Sequence, residues 1–189
     1  DVAVMTYAGL VNKNIVSILQ KFNCNAIGLS GADANLITSK IREIKEIDYG
    51  LVGDILSIND NFINQLLKLK ISPIICSLTH NGEGQILNTN ADTITSQVAI
   101  GMSKIYETSI YYCFELEGVL KDINDKKSVV KKINSKTYQE LLDAEIVTEG
   151  MLPKLENCFD ALKKGVHKVN MGNTSMLTNE NDNFTTITL

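Results

Sequence analysis

Asn88, Asn90 and Asp92 alternate through the stretch Leu-Asn-Thr-Asn-Ala-Asp at 87–92, directly ahead of the apolar-periodic run TITSQVAIGM. Short amide and carboxylate side chains at a helix entrance can do several things. One of them can cap the free backbone N–H groups, a contribution of about 1 kcal/mol. A carboxylate in the first turn is favoured by the helix dipole. The same carboxylate can orient a lysine through a charge-assisted hydrogen bond. Capping explains one residue of this cluster and leaves Asp92 to be explained. A second helix start, Thr148-Glu-Gly-Met-Leu-Pro-Lys154, carries Lys154 one turn inside. Such a lysine, taken alone, reads as a solvated side chain. Facing a phosphate, it would neutralise charge developing on a transferring phosphoryl group. A third polar segment, Phe114-Glu-Leu-Glu-Gly-Val-Leu120, follows the apolar run SIYYC.

These segments need a frame that brings helix starts and strand ends together. The opening stretch has apolar residues at helical spacing, Val4, Ala8, Val11, Ile15, Ile18, Leu19 and Phe22. Continuous apolar runs at Asn25–Ser30, SPIICSL and SIYYC read as buried strands, with GVHKVNM and TTITL closing the chain. Half-alternating strands flank the charged ribbon KIREIKEID, and THNGEGQIL reads as a hairpin with Asn81-Gly82 as its tight turn. The helix INDNFINQLLKLK has Asn59 or Asp60 as its cap, Pro153 suits the first turn of LPKLENCFDALKKG, and Gly165 stands at a C-cap position. Strands that are apolar throughout and alternate with helices predict an α/β fold with a mainly parallel sheet covered on both faces. Ligands in such folds collect outside the carboxyl ends of the strands, beside helix N-termini.

The chain has 189 residues, a net charge of −4 and 44% hydrophobic residues, which favours one domain with a substantial core. No basic block tracks a phosphate backbone, so nucleic acid is a poor partner. The longest apolar runs are too short to span a bilayer, so no membrane partner is expected. Four cysteines without a CxxC pair read as reduced, buried thiols of a cytoplasmic protein, and only two histidines argue against a protein-built metal site.

The stretches AGLVNKNIV, NAIGLSGADANLI, IDYGLVGDI, SPIICSLTHNGEGQILNTNADT, EGVL, VTEGMLPKLENCFDALKKGV and TTITL occur in the order of a known family. The sequence resembles the acetylglutamate kinase branch of the amino acid kinase superfamily. NxNAD together with TxGMxxK carries most of that resemblance. It implies a three-layer αβα sandwich with a mainly parallel central sheet and inserted β-hairpins. It further implies ATP- and Mg²⁺-dependent phosphorylation of the side-chain carboxylate of an N-acyl-glutamate, on the route to arginine, by a homodimer. By the same resemblance Asn88 and Asn90 bind the amino-acid substrate, Asp92 organises the catalytic lysines and Lys154 stabilises the transition state. Glu115, Leu116, Glu117, Gly118, Val119 and Leu120, with Ile146, Val147 and Thr148, line the nucleotide. The carboxylate acceptor is ionised at neutral pH, so no general base is required.

The chain departs from the family pattern in places. Phe114-Glu115 stands where members carry Thr-Asp or Ser-Asp, and Ala34 where glycine is common. The family's leading strand, with its lysine and glycine-rich loops, has no counterpart before Asp1. The expectation is therefore a single domain incomplete at its N-terminus, with 1–87 the remainder of the acyl-amino-acid half and 88–189 the nucleotide half. Two other readings stand beside it: a superfamily neighbour acting on glutamate, aspartate, carbamate or a nucleotide, and a catalytically silent metabolite-binding domain.

Overall fold

The computed structural model describes residues 2–122, 124–144, 146, 151–178 and 183–189. It divides into two compact units, Asp1–Ile94 and Thr95–Leu189.

The first unit opens with helix α1, Val2–Lys21, which takes a π-helical form over Met5–Val11. As a whole this 20-residue helix has the length and apolar composition of a bilayer span, which the short uninterrupted runs of the sequence did not suggest. Its polar residues are nevertheless engaged with strands. Asn12 donates from Nδ2 to the Ile74 carbonyl at 2.8 Å, Lys13 Nζ donates to the Gly28 carbonyl at 2.9 Å, and Gln20 Nε2 donates to the Ala26 carbonyl at 3.0 Å. Those strands are β1, Ala26–Leu29, and β4, Ser72–Ile75, a parallel pair in the register Ala26↔Ser72 to Leu29↔Ile75. Gly28 has to be glycine here, since an added Cβ would lie 1.8 Å from Asn12 Oδ1. The other face of α1 is apolar and exposed, with Met5, Leu10, Ile18 and Phe22 all open to solvent.

A second sheet in this unit joins β3, Gly53–Ile58, β2, Ile37–Ile41, β5, Leu78–His80, and β6, Ile86–Asn88, in that order. β2 pairs antiparallel with β3 and parallel with β5, and β5–β6 is an antiparallel hairpin. Helix α2, Asp60–Lys68, starts at Asn59, whose side-chain oxygen accepts from the Phe62 N–H at 3.1 Å. The same Asn59 donates from Nδ2 to the Ala34 carbonyl at 3.0 Å, holding a turn in which Ala34 sits at φ 52°. That left-handed conformation favours glycine. Leu36, Ile37, Ile63, Leu78 and Leu87 form the fully buried centre. Each such side chain contributes about 1.5–3 kcal/mol on burial.

Helix α3, Ala91–Ser103, leads into the second unit. There β7, Ser109–Cys113, β9, Lys168–Gly172, β10, Thr185–Ile187, and β8, Lys132–Ile133, form one sheet in the order β7-β9-β10-β8. β7 and β9 are parallel, β9 and β10 antiparallel, and β10 and β8 parallel. Helix α4, Ser135–Asp143, is capped by Asn134, which accepts from the Thr137 N–H at 2.9 Å. Helix α5, Leu152–Lys163, carries Pro153 in its first turn, and Gly165 follows at φ 106°. Leu155, Cys158 and Ala161 of α5 are wholly buried with Ile133, Val169, Met171 and Ile187 from the sheet. Among the described residues the fold is thus mixed α/β with parallel pairs, as expected.

Three expectations are corrected. SPIICSL is not one strand: it breaks after Ile75, so that β4 pairs with β1 while β5 pairs with β2 and β6. The hairpin turn is a wider loop closed by the Asn81 N–H donating to the Gln85 carbonyl at 3.1 Å, with both Gly82 and Gly84 at positive φ. Of the four cysteines, Cys158 alone is buried and Cys113 is exposed.

Candidate active site

The stretch at 88–92 divides its work residue by residue. Asn88 ends β6 and is exposed, on the wall of a cavity of about 550 Å³ shared with Met5, Leu51, Leu78 and Ile86. That volume suits a small ligand. Thr89 turns inward and is 3% exposed. Its hydroxyl is 2.8 Å from Thr79 Oγ1 and donates to the Gly53 carbonyl at 3.2 Å. Gly53 leaves room for this pair, because a Cβ there would lie 2.7 Å from Thr89 Oγ1. Asn90 is the helix cap: its side-chain oxygen accepts from the Thr93 N–H at 3.1 Å. Asn90 therefore spends its acceptor on α3, and Asn88 is the amide presented to the cavity. Asp92 lies half-buried in the first turn of α3, where the helix dipole favours its charge.

In the second unit, Lys154 follows Pro153 in the first turn of α5. Its ammonium stands 4.9 Å from the centre of the Tyr112 ring. Tyr112 points inward from β7, 6% exposed, and its hydroxyl lies 2.8 Å from Ser96 Oγ on α3. The alternation of SIYYC sends Tyr112 inward and Tyr111 outward, which is the signal that could have singled out Tyr112. Nothing in the sequence pairs it with Lys154.

The loop after β7 is only partly open. Glu115 is exposed, while Leu116 and Glu117 are half-buried. The Glu117 carboxylate accepts from Asn183 Nδ2. Gly118, Val119 and Leu120 are buried. The Val119 N–H donates to Thr185 Oγ1 at 2.8 Å, its carbonyl accepts from the Val130 N–H at 2.8 Å, and its side chain joins the core. Gly118 packs on Thr185, with no space for a Cβ. Of this loop, Glu115, Leu116 and Glu117 are the residues at least partly exposed. Phe114 fills its place as a core-packed aromatic, with its N–H donating to the Gly172 carbonyl at 3.0 Å. Ile146 packs against the same core. Val147 and Thr148 lie outside the described residues.

Comparison with known proteins places this architecture. The amino acid kinase family model matches residues 1–173. The acetylglutamate kinase of Cytophaga hutchinsonii is 47% identical over 169 residues, covering 89% of this chain and 64% of that protein. That of Bacteroides fragilis is 46% identical over 168 residues, with the same coverage. A solved Streptococcus mutans protein superposes with a TM-score of 0.77 at 28% identity, over 97% of this chain and 69% of its own. The chain spans just under two thirds of the length of the curated relatives it matches. With the family match running over nearly all of its residues, the chain belongs to the amino acid kinase family.

Proposed function

We propose that the protein is an N-acyl-glutamate kinase, transferring the γ-phosphoryl group of ATP to the side-chain carboxylate of an N-acyl-L-glutamate such as acetylglutamate. The observation that carries this reading is the division of labour at 88–92, with Asn88 on a cavity of small-ligand size and Thr89 and Asn90 fixing the backbone that follows it. The 44–47% identity to acetylglutamate kinases supports the same substrate class.

In this reading Asn88 holds the amino-acid portion of the acceptor. Lys154 neutralises charge on the transferring group, and Asp92 orients the cationic groups of the site. Phosphoryl transfer asks the protein for alignment and charge stabilisation more than for covalent chemistry. Glu115, Leu116 and Glu117 border the nucleotide, with Ile146, Val147 and Thr148. Mg²⁺ arrives with ATP, since it is commonly held by substrate phosphates and one or two carboxylates. On this reading, and by its similarity to acetylglutamate kinases, the protein acts in arginine biosynthesis in the cytoplasm. A homodimer through the exposed apolar face of α1 completes the assembly, and sedimentation of the full-length protein tests it.

The test is steady-state kinetics on the full-length protein, trapping the acyl phosphate as a hydroxamate. Lys154→Ala is expected to lower kcat by a factor on the order of 10²–10³. Asn88→Ala is expected to raise KM for the acylglutamate and leave KM for ATP nearly unchanged. Wild-type turnover in the lysine variant, or a KM effect confined to ATP in the asparagine variant, refutes the assignment.

A further inference from the structure

We infer that Tyr112 is a positioning residue for Lys154, using its ring face to hold the ammonium and a hydroxyl anchor on α3 to hold the ring. The inference rests on the catalytic role proposed for Lys154 above. Three contacts support it. The Lys154 Nζ lies 4.9 Å from the ring centroid, within the range where a cation is attracted to an aromatic face. The Tyr112 hydroxyl is 2.8 Å from Ser96 Oγ, and both residues are buried. The ring's body sits in the core with Ile110, Phe159 and Val169. A ring pinned at its tip and packed along its body offers a face of fixed position and tilt.

A lysine side chain has four rotatable bonds, and an unguided ammonium samples many places around a helix start. A small misplacement of a charge-stabilising group costs rate steeply, because the stabilisation must arrive where charge develops. The face of Tyr112, 4.9 Å from the ammonium, restricts that sampling. A quadrupole holds the ammonium weakly enough to let it turn toward a phosphate.

The experiment compares Tyr112→Leu and Tyr112→Phe in the full-length protein, beside Lys154→Ala. Tyr112→Leu keeps an apolar side chain and removes the face. It is expected to lower kcat by about tenfold or more with KM for both substrates changed by less than about twofold. Tyr112→Phe keeps the face and is expected to retain kcat within about threefold. The Lys154 ε-methylene protons, lying near the ring, are expected to show an upfield ring-current shift in the wild type and in Tyr112→Phe. Wild-type kcat in Tyr112→Leu overturns the inference, as does a wild-type spectrum without the upfield shift. The second criterion still decides the matter where Tyr112→Leu fails to fold. If Lys154→Ala itself turns over like wild type, the catalytic reading of Lys154 fails and takes the inference with it. If that variant is impaired while Tyr112→Leu is not, the positioning role alone falls.

Discussion

Thr89→Val tests whether the helix entrance is held from beneath. The substitution preserves shape, so it opens no cavity and isolates the hydroxyl. Thr89 Oγ1 donates to the Gly53 carbonyl at 3.2 Å, so its contact with Thr79 at 2.8 Å is one in which Thr79 donates. The arrangement is a relay from Thr79 through Thr89 to Gly53. Thr79 is 0% exposed and Thr89 3% exposed, so no water replaces what is lost. Two hydrogen bonds at about 1 kcal/mol each, plus the cost of leaving the Thr79 donor buried and unmet, give about 2–4 kcal/mol of destabilisation. That is a large share of the about 5–15 kcal/mol typical of a folded domain. Urea denaturation of the full-length protein reads the change as a lower midpoint at unchanged slope. Thr79→Val with Thr89→Val removes the orphaned donor as well, and is expected to recover about 1 kcal/mol relative to Thr89→Val alone. A single variant within about 0.5 kcal/mol of wild type, the range of an ordinary surface substitution, refutes the relay. So does a double variant less stable than the single one.

Ala34 sits at φ 52°, a conformation in which a Cβ costs about 1–2 kcal/mol. Ala34→Gly relieves that strain against a smaller gain in unfolded-chain entropy, and denaturation is expected to show a net stabilisation of up to about 1 kcal/mol; a clear loss of stability would contradict the strain argument. Thiol labelling followed by mass spectrometry is expected to modify exposed Cys113 first, half-buried Cys76 more slowly and buried Cys158 last. Burial pushes the Cys76 thiol above its ordinary value of 9.0, opposed by a hydrogen bond with the Leu78 backbone. Its native pKa therefore exceeds its unfolded one, so the unfolded chain ionises first and stability falls as pH rises through 9.0. Cys76 labelling as fast as that of Cys113 at pH 8 would contradict this.

Helix ends were the most legible parts of the chain. Asn59, Pro153 and Gly165 stand where cap chemistry put them, because a cap is decided within a few residues of sequence. Strand boundaries were less so. SPIICSL reads as one mostly apolar run, while its pairing with β1 ends at Leu29↔Ile75 and β5 pairs with β2 at His80, partners that lie outside the run. Lys132–Ile133 was missed because a two-residue strand has no period to detect. The π-helical stretch at Met5–Val11 keeps an apolar helical pattern and gave no warning. At the site, the residue types at 88–92 were readable, while the burial of Thr89 was not, since its partners lie in β5 and at the start of β3. By family resemblance Gly118, Val119 and Leu120 belong to the nucleotide loop, and the sequence did not show how deeply they are buried. The Val119 N–H bound to Thr185 ties that loop to β10, a partner far along the chain.

The bonds from α1 to the first parallel pair also govern how the molecule meets other chains. In that pair the Asn25 and Leu29 carbonyls accept from the Ser72 and Cys76 N–H groups, so the Ala26 and Gly28 carbonyls point to the opposite margin. Gln20 and Lys13 occupy both. A foreign strand seeking to extend the sheet there would first have to evict a lysine and a glutamine from their acceptors. β1 is thereby a poor template for amyloid-like stacking, because its outward carbonyls already accept from side chains of the same molecule.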